Sequence, residues 1–188
     1  MASSQPLQDP STNPTELASY ELSPSAVLPS FTASTAWSLG TALRTRILSL
    51  PSSQRKPAVI SITQANGNHI LFQAVTESGT LPDNEEWVRR KRNAVLRWGL
   101  SSWGLRNKIA ATVAAPEYDV EPAFAKKFAL KSSNGSPEDY AIHGGGFPIR
   151  VKGVDGIVGV IVVSGLKQEH DHQVIVEVIK DFIDNGGN

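Results

Sequence analysis

The chain has 188 residues and 40 % hydrophobic content, enough for one compact domain with a real core. Its 18 basic and 18 acidic residues balance, and no stretch approaches the roughly 20 apolar residues of a membrane span, so neither nucleic acid nor a membrane is an expected partner. The absence of cysteine removes disulfides, thiolate catalysis and Cys-zinc sites, so any metal would have to use His and carboxylates, and His170 and His172, the nearest such pair, diverge if they open a helix.

In chain order, residues 1–30 carry Pro6, Pro10, Pro14, Pro24 and Pro29 among Ser, Thr and Asn, which predicts a mobile N-terminal tail whose later part lies along the surface of a single domain spanning 31–188. This tail lacks a basic region followed by an apolar core, so the cytoplasm is the expected location. Ser34 or Thr35 is expected to cap a helix running to about Leu50, with Leu39, Leu43, Ile47 and Leu50 on one stripe. Residues 58–63 and 69–75 read as a hairpin around Asn66-Gly67. His69, at the start of its second strand, reads as an exposed polar residue. Asp83 then opens a helix in which Trp87, Arg90, Lys91, Ala94, Val95 and Trp98 share one stripe. Gly99 and Gly104 predict a bend near Ser101-Ser102, and Phe124 and Phe128 mark a further short helix. Ile157 to Val163 reads as a strand buried on both faces. The last segment is rich in Val and Ile, yet Gln173, Glu177, Lys180, Asp181 and Asp184 recur at a helical period, so it reads as helix. This order predicts an α/β (α+β) sandwich, a mainly antiparallel central sheet flanked by helices.

Three clusters could carry chemistry. The run Arg89 to Arg92 is either a solvated face with its stems over the tryptophans or an anion site in which Arg90 or Lys91 meets a carboxylate or phosphate beside Trp87. His143-Gly144-Gly145-Gly146 looks like the oxyanion loop of lipase-type hydrolases, but no Gly-x-Ser-x-Gly elbow accompanies it, and neither Gly-x-Gly-x-x-Gly nor a Walker A sequence occurs. The glycines therefore either offer N–H groups to an anion or permit a tight crossing. In His170-Asp171-His172, Asp171 suits the free N–H groups at a helix entrance, and a helix N-terminus there would keep His172 neutral, fit to accept a proton or act as a ligand.

Tyr140 to Ile149 with its triple glycine, Val158-Gly159 leading into Ser164-Gly165, and Asp171-His172 together resemble the haem-degrading-domain family of GlcG-like and HbpS-like proteins, in its largely uncharacterised fungal and bacterial branch. Trp87, Lys91, Asn93 and Ser101-Ser102 add to the resemblance, which spans roughly Phe31 to Ile183. It implies an α/β sandwich that assembles as dimers or higher oligomers, with haem as a possible cofactor.

The resulting expectation is an oligomeric, cytosolic small-molecule-binding protein for an organic acid or a haem-like ligand, with its pocket at a subunit interface. Trp87, Arg90, Lys91, Asn93, Ser101, Ser102, Gly144, Gly145, Gly146 and Asp171 would contact the ligand, and His143 and His172 are the catalytic candidates. Two alternatives stand beside it: a cofactor-independent isomerase or lyase in which His172 moves a proton, and an adaptor that binds a protein partner.

Overall fold

A computed structural model of the chain describes residues 5–67, 69–113 and 120–187. The elements are α1 (Pro14–Glu21), β1 (Val27–Leu28), α2 (Ala33–Leu48), β2 (Val59–Gln64), β3 (Ile70–Val75), α3 (Pro82–Trp98), α4 (Ser102–Val113), α5 (Val120–Lys127), β4 (Gly146–Val151), β5 (Gly159–Ser164) and α6 (Gln168–Asp184). The strands form one sheet in the order β1-β4-β5-β2-β3, antiparallel throughout except for the parallel β1–β4 pair.

Alternation along β5 divides the core. Ile161 and Val163 point with Ile60, Ile62, Phe72 and Phe147 towards α2 and α6, in the cluster that also holds Leu39, Leu43, Ile47, Val174 and Ile175. Val160 and Val162 point the other way, with Val59, against Val88 and Val95 of α3. All six residues of β5 are buried, which is the two-sided strand the apolar run predicted, displaced by two residues at its start. A third cluster joins α4 and α5 through Leu105, Ile109, Val120 and Phe124, with Trp98, Phe128 and Tyr140 packed against it. Helices thus cover both faces of a mainly antiparallel sheet, the predicted sandwich.

Several local expectations are corrected. The cap of α2 is Thr32, whose hydroxyl accepts from the Thr35 N–H at 3.1 Å while Thr35 returns the contact to the Thr32 N–H at 3.2 Å. Helix α3 starts at Pro82 rather than Asp83, and Asn84 Oδ1 takes the Leu81 N–H at 2.8 Å. The expected bend is a full break: Gly99 ends α3 at φ 68°, a left-handed stop, and Ser101 Oγ accepts the Gly104 N–H at 2.9 Å to start α4. The edge of the sheet at β3 is closed in part by Arg44, which donates to the Val75 and Thr76 carbonyls at 3.2 and 2.9 Å.

The N-terminal segment differs most from its expectation. Residues 1–4 lie outside the described residues, but from Gln5 onward the chain is seated on the domain. Leu7, Leu17, Ala26 and Leu28 are buried, Asn13 caps α1, and β1 adds a fifth strand to the sheet. Composition suggested a tail that buries little because prolines dominate it; four well-spaced apolar residues suffice to hold it down.

Glu21, at the end of α1, accepts the Ser101 N–H at 3.0 Å where it is almost fully buried, and burial raises its carboxyl pKa above the ordinary value. A carboxyl whose folded pKa is raised stabilises the fold at acid pH, and that contribution is lost as pH climbs through the folded value. Glu21→Gln is therefore expected to match or exceed wild-type thermal stability at pH 7.5, and to lose that advantage as the buffer is brought to pH 4.5. Denaturation midpoints at four or five pH values measure it.

Candidate functional site

Helix α3 sets Trp87, Arg90 and Lys91 at i, i+3 and i+4, so one side of the helix faces the 140–146 segment and β5. Lys91 is not solvated. Its Nζ donates to Asp171 Oδ2 at 2.9 Å and to the Val163 carbonyl at 3.0 Å, and both side chains of the pair are 4 % exposed. Asp171, in the first turn of α6, also accepts the Leu166 N–H at 2.9 Å and the Gly165 N–H at 3.4 Å. Complete burial pushes its carboxyl pKa up, while Lys91 and these two N–H groups pull it down. The N–H groups that Asp171 meets are those of the loop two and three residues before the helix, not the free ones of its first turn. The charge of Lys91, expected to meet a ligand, already has an internal partner.

The glycine run passes directly over this pair. A Cβ at Gly144 would stand 2.1 Å from the Gln168 carbonyl oxygen. Gly145 has φ 111°, and a Cβ there would lie 2.3 Å from the Val163 oxygen and 2.8 Å from Lys91 Nζ. The Gly146 N–H is taken by Ser102 Oγ at 2.9 Å. Of the two sequence readings of this run, the tight crossing is the one this geometry favours.

The histidines separate. His172 is 1 % exposed, between Trp103 (ring centroids 6.3 Å apart) and Phe147 (5.9 Å), and its Nδ1 has no partner among the described residues. Burial pushes its pKa down to about 3, so it is neutral as predicted, through desolvation rather than the helix terminus. At 1 % exposure it has no direct access to solvent, so the proton-transfer alternative draws no support from its position. His170, two residues earlier, points elsewhere, with Nε2 3.3 Å from Gln54 Nε2.

Of His143, His170 and His172, His143 is the one that reaches the surface, its side chain 32 % exposed. Its ring meets Trp87 edge-on at 4.8 Å and 71°, and Nδ1 lies 3.2 Å from Glu121 Oε1. Burial lowers its pKa; Glu121 opposes that, and Arg106, Lys91 and Arg90 add to it. The Arg90 guanidinium stacks over Trp87 at 4.8 Å and donates to the Tyr140 carbonyl at 3.1 Å, leaving a buried Nε without a partner among the described residues. A cavity of about 220 Å³ opens here, lined by Arg90, Glu121, Phe124, Tyr140 and Ile142 among others. Asn93 lies outside this group, donating to the Asp139 carbonyl at 3.0 Å, and Ser101 and Ser102 are fully buried caps and struts. Glu121 and Arg106 were missed. Glu121 is one exposed acid in a short helix, with no signal in the sequence, whereas Arg106 stands out afterwards as a lone cation among buried neighbours in α4.

Comparison with known proteins places this arrangement. The family model described as haem degrading protein HbpS-like matches residues 31–180. A UPF0303 protein of Streptomyces avermitilis is 36 % identical over 156 residues, 83 % of each chain, and one of Acidobacterium capsulatum is 38 % identical over 150 residues, 79 % of this chain and 78 % of the relative. The crystal structure of Ybr137w protein superposes with TM-score 0.75 and 29 % identity over 94 % of this chain and 90 % of the other. A Streptomyces reticuli HbpS double mutant superposes at TM-score 0.55 and 16 % identity over 81 % of this chain and 86 % of the other, a likeness of fold alone.

Two outcomes follow from the buried groups. Lys91→Met strands the Asp171 carboxylate and is expected to cost about 3–5 kcal/mol, with the Lys91→Met/Asp171→Asn pair recovering most of it; chemical denaturation of the three proteins decides. His172, whose pKa is about 3 folded against 6.5 unfolded, contributes stability that is present above pH 6.5 and lost as pH falls towards 3, by up to about 1.4 kcal/mol per unit. His172→Leu is expected to flatten that acid limb in a series of melts from pH 7 to pH 4.

Proposed function

The chain belongs to the HbpS-like family of haem degrading proteins, and on that premise we propose that it is a cytoplasmic, oligomeric small-molecule-binding protein whose ligand rests on His143, Trp87 and Arg90. The observation that carries this reading is the setting of His143: a partly exposed imidazole held edge-on by Trp87, beside an arginine with a buried donor to spare. A guanidinium at the opening, backed by the Trp87 ring and flanked through Glu121 by the His143 imidazole, suits a carboxylate attached to a flat or apolar body. An organic acid is the ligand class.

The size of the opening supports a site completed by a second subunit. Its 220 Å³ falls below the roughly 300–1,000 Å³ typical of ligand pockets. A neighbouring subunit over this opening would supply the missing wall. The same test applies to haem. His143 could serve as an axial ligand and Arg90 could meet a propionate, but the space in one protomer does not enclose a porphyrin, so no step through iron is drawn.

Native mass spectrometry of freshly purified protein tests assembly and retained ligand together, and a strictly monomeric, ligand-free species would overturn the reading. For binding itself, calorimetry with a panel of mono- and dicarboxylic acids is expected to find one whose affinity drops about 10- to 100-fold in Arg90→Ala, the loss of a charge-assisted hydrogen bond, and comparably in His143→Ala. Lys91 and His172 substitutions should act on stability first. In a haem titration, a Soret shift that persists in His143→Ala would exclude that residue as the axial ligand.

A further inference from the structure

The way residues 7–11 are held is a mode of recognition as much as of packing. Gln54 grips the main chain of Leu7 from both sides of its amide: Oε1 accepts the Leu7 N–H at 2.7 Å and Nε2 donates to the Leu7 carbonyl at 3.0 Å. Those are the two bonds a neighbouring strand would give, supplied here by one side chain. The Leu7 side chain is buried in the main core cluster at 3 % exposure. Two residues on, Asp9 lies 3.6 Å from His170, and four residues on, the Ser11 carbonyl accepts from the indole Nε1 of Trp103 at 2.9 Å.

The receptor side of these contacts is built in. Gln54 Nε2 is also 3.3 Å from His170 Nε2, which fixes the amide orientation needed to read both groups of Leu7, so His170 is a positioning residue. Trp103 is anchored in α4 at 5 % exposure. Gln54, Trp103 and His170 all lie within residues 31–180 that the family model matches, while the segment they hold lies outside that range. Pro6 precedes the held stretch and Pro10 lies within it, and both fix φ near −65°, which limits the entropy lost when it is extended. Beside it, a groove of about 1310 Å³ between α2 and α6 has Gln5, Pro6 and Gln8 along one wall.

We infer that the domain carries a peptide-binding groove formed by Gln54, Trp103 and His170, filled in cis by its own residues 7–11, whose ligands are extended peptides anchored by a leucine. Affinity comes from the buried leucine and the main-chain bonds to Gln54 and Trp103, which any sequence can make. Selectivity comes from the leucine pocket, while Asp9, 86 % exposed, stays solvated at the rim. A peptide in trans must displace the bound segment, so the intact chain admits only ligands that outcompete a tethered one.

A fluorescein-labelled synthetic peptide of residues 5–13 is the probe, read by anisotropy against the full-length chain. The Leu7→Ala/Asp9→Ala protein, with its own segment loosened, is expected to bind the probe at least tenfold more tightly than wild type, and adding Gln54→Ala should remove at least tenfold of that. A loosened protein with a native circular dichroism spectrum that binds no better than wild type, or binds a scrambled probe equally, would overturn the proposal. Should the double variant not fold, the wild-type chain decides: saturating unlabelled peptide is expected to raise amide exchange across residues 7–11, and unchanged exchange refutes displacement.

Discussion

The buried pair of Lys91 and Asp171 is the constraint on which the middle of the molecule depends. It joins α3 to α6 across the end of β5, and the Val163 carbonyl and two loop N–H groups complete its coordination. A charge pair removed from water is tolerable only when the geometry is good and the remaining donors and acceptors are met, and here every polar atom of the pair is engaged. The cost falls on the chain that must pass over it. At Gly145 the backbone runs so close to the ammonium that no Cβ fits, at Gly144 the Gln168 carbonyl leaves as little space, and at Gly146 a Cβ would meet Val95 at a tight but less severe 3.0 Å. Three consecutive glycines and one buried ion pair are thus two aspects of one piece of geometry.

That geometry also distributes the histidines. With the crossing tight, His172 is sealed behind Gly144, Trp103 and Phe147, and the adjacent His143 is turned outward beside Trp87. A motif that places two imidazoles near one another in sequence logic therefore yields one structural and one accessible ring. The structural one shapes the acid stability of the fold, and the accessible one meets solvent beside Trp87.

Much of the architecture was legible because it rests on local rules. The helical period of polar residues in 173–184 outweighed the strand propensity of its valines, and the unbroken apolar run at β5 announced a strand covered on both faces. Caps were read less well: Thr32 rather than Ser34 or Thr35 closes α2, because a reciprocal pair three residues apart outbids a single hydroxyl. What could not be read was long-range. Nothing in the spacing of Lys91 and Asp171, 80 residues apart, marks them as partners, and the same cation stripe served equally well as a solvated face or an anion site. The N-terminal segment shows the same limit: its prolines speak for irregularity, while Leu7 and, within α1, Leu17 are buried against the domain.

The open border of the sheet at β3 carries a different implication. Ile70 and Val75 are about half exposed there, and a bare strand of this kind invites pairing with another chain. Arg44 occupies the Val75 and Thr76 carbonyls, so the C-terminal half of β3 is capped while the half towards the hairpin tip is left unguarded. Any strand added from outside must therefore begin at the tip and stop short of Val75. This one arginine thereby acts as a polarity mark on the ribbon.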